Sequence, residues 1–378
     1  MDIKIKSDEE SKLIESLETR HDPEGERLKR FLNMPDLSRK PGSPLADLAE
    51  RIVNLPRFAE FEILNVPEVV SYGVSFDLFN FPADHPARNP SDTYFIDKEN
   101  VLRTHTTVMW YYHLNLPEVK EKIKRGQLVG ALSYGKVYRK DEIDRNHMNV
   151  FHQMDGWYLC RKADHVITIN DLQDVLAEIA KAIFGQDIKY RFNTDQFPYT
   201  DPSLEMEVQV AGRWIEVLGA GVVREAVLKN LGVDPNEYNG WAFGFGLERL
   251  AIISMNLPDI RLLWSKDPRI KKQLKLGNKY IGVSKYPPIT RDVSFVVGSD
   301  FVPNDYFDLI RDLGGDLVEQ VELLDKYENA EKFGPNKVSY TYRIVYRSNE
   351  RTLITEEIDP VQRKIYEETA KQFKAESR

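Results

Sequence analysis

Two clusters of residues in this chain could bind a substrate that carries both phosphate and amine. The first is Gly240-Trp-Ala-Phe-Gly-Phe-Gly-Leu-Glu-Arg249. Gly240, Gly244 and Gly246 have no Cβ, so backbone there can approach a flat or charged ligand closely. Glu248 and Arg249 open an amphipathic helix, and an arginine so placed presents a planar, permanently charged fork to a phosphate. Taken alone, the segment reads equally well as a glycine-rich turn before a core helix. A second cluster, upstream between Gly135 and Trp157, weighs against that reading. Val137 and Tyr138 end one apolar stretch, Val150 to Trp157 read as a second strand, and a polar, charged loop lies between them. Two antiparallel strands so joined can offer Arg139 to a phosphate at one end and Gln153 with Asp155 to an amine at the other.

The elements that must position these groups follow from the apolar pattern. Residues 1–36 read as helical and polar, with Leu13, Leu17, Leu28, Phe31 and Leu32 as sparse anchors, and Ser38 to Pro44 is a break. Pro44 to Asn54 reads as a helix and Phe61 to Val70 as a strand. Strand signals are dense after Leu102, at 129–138, 148–159, 205–211 and 214–222. One clear helix interrupts them: Leu172, Val175, Leu176, Ile179 and Ile183 recur at helical spacing, and Gly185 follows the last turn. Strands returning on each other with few βαβ alternations predict an α+β fold with an antiparallel sheet. From about 285 the order is strand (Val293–Val297), helix (Asp305–Leu313), two strands (Val318–Tyr327, Val338–Tyr346) and helix (Pro360–Phe373). That β-α-β-β-α order is ferredoxin-like. Only Lys374 to Arg378 remain for a fourth strand, so a short or missing one is expected.

At 378 residues the chain is long enough for two or three domains. A single cysteine, Cys160, excludes an internal disulfide framework and a cysteine-based zinc site. No run approaches the ~18 apolar residues of a membrane span. Met1 to Glu26 mixes acids and bases, unlike a secretory signal or an arginine-rich presequence. The net charge of −8 is unevenly spread: residues 261–291 carry nine Lys/Arg (Arg261, Lys266, Arg269, Lys271, Lys272, Lys275, Lys279, Lys285, Arg291) against one acid, Asp267. Attraction to a polyphosphate is local and screened beyond ~8 Å at physiological salt, so this segment can face nucleic acid while the rest repels it. It reads equally as a solvated hinge.

Together the two clusters resemble the second and third signature motifs of class II aminoacyl-tRNA synthetases, and within that class the chain resembles phenylalanyl-tRNA synthetase in its single-chain, mitochondrial-type form. The resemblance extends through Ala83–Arg88, Leu102-Arg-Thr-His-Thr-Thr107, Phe197-Pro-Tyr-Thr-Asp-Pro-Ser-Leu-Glu-Met-Glu207, Trp214–Val222, Lys285–Phe295 and Gly314–Lys326. It implies a helical extension (1–36), a class II catalytic domain (37–262) whose antiparallel sheet is flanked by helices, a basic linker (263–284) and a ferredoxin-like anticodon-binding domain (285–378). The implied reaction uses ATP and Mg²⁺ to activate phenylalanine as an adenylate, then transfers it to tRNA. Neither step needs a protein nucleophile, so catalysis is mostly positioning and charge stabilisation.

The implied catalytic pair is Arg139, on the α-phosphate and reacting carboxylate, and Arg249, on the γ-phosphate. The ATP-binding set is Arg139, Glu142, His147, Phe151 and Arg249, and Glu216 is the candidate Mg²⁺ ligand. The amino-acid set is His105, Thr107, Gln153 and Asp155 at the α-amino group, Phe197, Tyr199 and Ala242 around the ring, and Trp110, which stands where the family has a polar amide. The family pattern has serine at Thr107, glutamine at Trp110, glutamate at Asp155 and phenylalanine at Tyr199. All four departures surround the amino acid, so a different or modified aromatic amino acid is an alternative substrate, and a non-tRNA acceptor an alternative partner. Such single-chain relatives imply a monomer. A cytoplasmic location is expected, with a mitochondrial matrix protein lacking its presequence as the alternative.

Overall fold

The computed structural model describes residues 2–282 and 286–377, and the chain divides into two compact units. The first comprises residues 1–139, 150–256 and 274–279. Its strands are β1 (Asp2–Lys4), β2 (Glu62–Asn65), β3 (Val69–Ser71), β4 (Asn100–Leu102), β5 (Val129–Tyr138), β6 (Val150–Arg161), β7 (Tyr190–Phe197), β8 (Thr200–Val210), β9 (Arg213–Val223) and β10 (Tyr238–Gly246). Eight of them form one sheet in the order β1-β2-β5-β6-β10-β9-β8-β7, and β3 pairs with β4 in a small second sheet. β1–β2 and β2–β5 are parallel; the remaining pairs are antiparallel.

Helices pack on this sheet for reasons visible in their sequences. Pro44–Val53 has Ser43 as N-cap and proline in its first turn, and it buries Leu45, Leu48, Ala49 and Ile52. Ile169–Phe184 starts with a capping box between Thr168 and Asp171 and buries Leu172, Val175, Leu176, Ile179 and Ile183, the residues whose spacing predicts it. One core cluster joins Met109, Trp110, Ala131, Trp157, Val227 and Ala242.

Several elements differ from expectation. Gly240–Gly246 is no turn: it lies in β10, a central strand paired with both β6 and β9. The strand expected over Phe61–Val70 is split into β2 and β3. Val66 and Pro67 between them give their carbonyls to the buried Arg103 instead of to a ladder. β7 is an extra edge strand, and β8 begins at Thr200. Short helices at Met109–Asn115, Pro117–Lys124 and Glu225–Asn230 add to the one expected between Leu102 and β10. Residues 1–36 hold helices Asp8–Glu18 and Pro23–Leu32, and also β1.

The second unit comprises residues 140–149, 257–273 and 280–378. Its strands β11 (Ile289–Gly298), β12 (Val318–Glu328), β13 (Lys337–Tyr346) and β14 (Glu376–Ser377) form an antiparallel sheet in the order β12-β13-β11-β14. Helices Pro303–Gly314 and Thr355–Phe373 complete a ferredoxin-like βαββαβ module, and its fourth strand is present as a two-residue pairing with β11. The 140–149 segment packs within this unit. Ile143 joins its core, Val321 donates its N–H to the Ile143 carbonyl at 3.0 Å, and the buried Glu319 pairs with Arg145 and Arg347. In the basic segment, Arg261 is tied to Asp259, Arg269 to Asp267 and Arg291 to Asp359, while Lys266, Lys271, Lys272, Lys275 and Lys279 are exposed. Lys285, which begins one of the resembling motifs, lies outside the described residues. Among the described residues no helix is long and apolar enough to cross a membrane.

Candidate active site

Asp155 is the centre of the site in the first unit. It lies on β6, opposite Ser133 of β5 and Gly244 of β10, and is 4% exposed. Its Oδ2 accepts the Thr107 hydroxyl at 2.6 Å. A Cβ on Gly244 would sit 2.2 Å from Asp155 Oδ1, so this glycine is what leaves room for the carboxylate. Burial pushes the Asp155 carboxyl up to about 6, against the opposing effect of the Thr107 hydrogen bond and the nearby Arg139 and Arg103 charges. His105 precedes Thr107 on the same turn. Its Nε2 donates to the Ser75 carbonyl at 3.0 Å, which fixes the tautomer and leaves Nδ1 as a buried acceptor with no partner among the described residues. Burial first, then the Arg139 charge, lowers His105 to about 3, so the ring stays neutral. Gln153 Oε1, two residues before Asp155, is likewise buried and unpartnered among the described residues.

An aromatic wall adjoins these groups. Phe197 ends β7 and stacks on Tyr199, with ring centres 5.9 Å apart and planes within 9°. Gly219 admits Phe197, since a Cβ there would lie 2.6 Å from its ring. Tyr199 meets the rings of Phe79, Phe81 and Trp110, and Phe81 stacks on His105. Ala242 of β10 faces Trp157 in register and shares the core cluster with Trp110. Burial, and Asp155 after it, raises the Tyr199 phenol, which stays protonated as a donor.

Arg139 follows the last residue of β5. Its Nε donates to the Thr104 carbonyl at 2.9 Å and its guanidinium lies over the Phe151 ring at 5.2 Å. Thr104, which it holds, directly precedes His105, and Thr107 two residues on is bonded to Asp155, so one short segment links cation, imidazole and carboxylate. Arg249 is exposed in the first turn of helix Leu247–Met255, next to Glu216 of β9 at 3.7 Å. Glu216 is half-exposed and stands opposite Glu207 of β8. An exposed carboxylate with one long ion pair fits an ion that takes one or two carboxylates and completes its shell with phosphate and water oxygens. Glu142 and His147 belong to the second unit. Glu142 is exposed there and its carbonyl accepts Arg311, while His147 Nδ1 lies 2.9 Å from Asp144.

Three supporting residues had no role assigned from sequence. Glu248 is buried and accepts the His152 backbone N–H at 2.8 Å and its Nδ1–H at 2.6 Å. His152 Nε2 accepts the Leu37 N–H at 2.9 Å, so the ring joins three segments and anchors the start of Arg249's helix on β6. Arg103, 1% exposed, donates to the Val66, Pro67 and Lys136 carbonyls and holds the strand that enters His105. All three stand inside segments whose motifs are legible. Their roles depend on cross-strand partners that no local pattern reveals.

Comparison with known proteins agrees with this arrangement. The model for the tRNA synthetases class II core domain (F) matches residues 32–274, and that for the ferredoxin-fold anticodon binding domain matches residues 284–378. The chain is 38% identical over 333 residues to the chloroplastic/mitochondrial phenylalanine–tRNA ligase of Arabidopsis thaliana, covering 85% of this chain and 73% of that protein. It is 34% identical to the mitochondrial phenylalanine–tRNA ligase of Mus musculus, covering 85% and 76%. With the mitochondrial phenylalanine–tRNA ligase of Saccharomyces cerevisiae it shares 31% identity, covering 88% and 87%.

Proposed function

This chain belongs to the class II aminoacyl-tRNA synthetases, among the single-chain phenylalanine–tRNA ligases, and from that premise we propose how its residues carry out the reaction. The enzyme activates phenylalanine with ATP and charges tRNA(Phe). In the first step a carboxylate oxygen of phenylalanine attacks the α-phosphorus and pyrophosphate leaves. In the second, a hydroxyl of the tRNA's 3′-terminal ribose attacks the acyl carbon and AMP leaves.

The ammonium group of phenylalanine sits on Asp155, with the lone pairs of His105 Nδ1 and Gln153 Oε1 as further acceptors and Thr107 holding the Asp155 carboxylate in place. The ring lies between Phe197, Tyr199 and Ala242, with Trp110 behind it, where edge and face contacts suit a benzyl group. Arg139 holds the reacting carboxylate and α-phosphate together and offsets the charge that builds as the bond forms. Phe151 keeps its guanidinium in plane. Arg249 binds the γ-phosphate. Class II synthetases work with ATP and Mg²⁺. Glu216 would hold the ion here, where it would neutralise phosphate charge.

The division into extension (1–36), catalytic domain (37–262), linker (263–284) and anticodon-binding domain (285–378) belongs to this proposal, as do a monomeric state and a tRNA-facing role for the exposed lysines of the basic segment. The named relatives are organellar, which favours an organelle over the cytoplasm.

The observation that carries the reading is the buried Asp155 carboxylate, bonded to Thr107 beside a neutral histidine acceptor and an aromatic wall. ATP–pyrophosphate exchange with phenylalanine, followed by charging of tRNA(Phe), tests it. Exchange that is absent with phenylalanine, or charging that is absent when exchange proceeds, refutes the corresponding step.

A further inference from the structure

Trp110 and Trp157 stack beside the aromatic wall, their ring centres 5.1 Å apart and their planes within 8°. The two indoles differ in how their N–H groups are used. Trp157 Nε1 donates to His113 Nδ1 at 3.0 Å, and His113 Nε2 donates to Glu62 at 2.7 Å. Glu62 is held in turn by Lys122 at 2.7 Å. The His113 bond, and Lys122 after it, lower Glu62 to about 2 against its burial, so the chain ends in a fixed charge. Trp110 Nε1 has no hydrogen-bond partner among the described residues, although Trp110 is 1% exposed. A buried donor without an acceptor is costly enough that folded proteins keep few of them.

The surroundings of Trp110 point to what would pair it. The ring makes edge contacts with Phe79 at 5.4 Å and Tyr199 at 6.2 Å, and shares its core cluster with Ala242. It therefore borders the site assigned to the substrate ring. One face of Trp110 is covered by Trp157, which is tied to His113.

We propose that Trp110 is a specificity-determining residue, whose Nε1–H takes an acceptor atom carried on the ring of the substrate. The class of ligand is an aromatic amino acid with a ring acceptor at one position. Phenylalanine fills the space and leaves the N–H unpaired, whereas a suitably substituted ring fills it and pairs the donor. This rests on Phe197, Tyr199 and Ala242 forming the amino-acid site.

The three pyridylalanines test it, because each has the shape of phenylalanine and moves one acceptor nitrogen around the ring without adding a donor. ATP–pyrophosphate exchange by the full-length protein is measured with phenylalanine and with 2-, 3- and 4-pyridylalanine. One isomer is expected to exceed the other two by about tenfold in kcat/KM, the scale of a buried donor paired against one left unpaired. In Trp110→Phe, which keeps an aromatic ring against Trp157 and removes the N–H, the isomers should fall within about twofold of one another, whatever the absolute rate. Trp157→Phe keeps a stacking ring but frees it from His113, and should reduce the preference several-fold. It supplies the answer if Trp110→Phe does not fold. Three isomers of equal efficiency in the wild type, or a preference undiminished in either variant, overturn the proposal. Absence of exchange with phenylalanine itself would instead strike the assignment of the site.

Discussion

Replacing Asp155 with asparagine separates what this carboxylate does for binding from what it costs the fold. Its ordinary value of 3.8 is raised to about 6 in the folded protein, chiefly by burial. A carboxyl whose folded pKa lies above its unfolded one contributes stability at low pH that is lost as pH rises, because above 3.8 the unfolded chain has given up a proton that the native state still holds. The loss starts near pH 4 and is complete above about pH 7. Two units at 1.36 kcal/mol each make it about 3 kcal/mol, of which roughly 1.4 kcal/mol falls between pH 5 and pH 8. An asparagine side chain has no such titration, and its carbonyl can still accept the Thr107 hydroxyl. The stability difference between Asp155→Asn and wild type, from urea unfolding without ligand, should therefore shift by about 1.4 kcal/mol in the variant's favour between pH 5 and pH 8. The fixed penalty of the new amide is the same at both ends and drops out. In the same variant the KM for phenylalanine should rise at least about tenfold at pH 8, as a charge-assisted bond to the ammonium is lost. Parallel stability curves over this range would refute a buried, strained carboxylate. A shifted curve with an unchanged KM would refute its contact with substrate.

Three further perturbations follow from the geometry. Gly244→Ala puts a methyl group 2.2 Å from Asp155 Oδ1 and must push the carboxylate off Thr107; phenylalanine KM should rise about tenfold or more while ATP KM stays put, as read by exchange kinetics. Glu248→Gln sets an amide against the His152 N–H and Nδ1–H donors; it should cost about 2–3 kcal/mol in urea unfolding and raise the KM for ATP more than that for phenylalanine, because Arg249 is the next residue. Glu216→Gln should raise the Mg²⁺ concentration needed for half-maximal exchange several-fold at saturating phenylalanine, and no change in that midpoint would remove Glu216 from the metal site.

The parts of this molecule legible in its sequence are those fixed by local periodicity or by a contiguous motif. Leu172, Val175, Leu176, Ile179 and Ile183 announce their helix because the spacing of one buried face is itself the signal. β5 and β6 are legible as long apolar runs on either side of a charged loop. β7 is not, because it is an edge strand whose residues are half-exposed or exposed throughout, so no strong apolar alternation marks it. β10 is hidden for the opposite reason. Its glycines mimic a turn, yet Gly244 is there to clear space for a side chain on the neighbouring strand. That requirement is set by register between strands about ninety residues apart in the chain and leaves no trace in a local window.

The same distinction governs the site. Arg139, Arg249 and Asp155 could be named from types and spacing, but the electrostatic state of Asp155, the tautomer of His105 and the Glu248–His152 anchor exist only once strands are paired. Trp110 shows why this matters for substrate choice. As a single change, an indole in place of an amide looks like the loss of a polar contact. In the fold it is one half of a stack whose other half, Trp157, is pinned through His113 to Glu62 and Lys122. A bulky ring is tolerated there because a second ring supports it from behind and a charged chain holds that second ring still. The groups behind the stack come from β2, β6 and the helices at Met109–Asn115 and Pro117–Lys124. Selectivity at such a site belongs to the whole stack, so substitutions at His113 or Glu62, remote from the substrate, should move it in the same sense as those at Trp157.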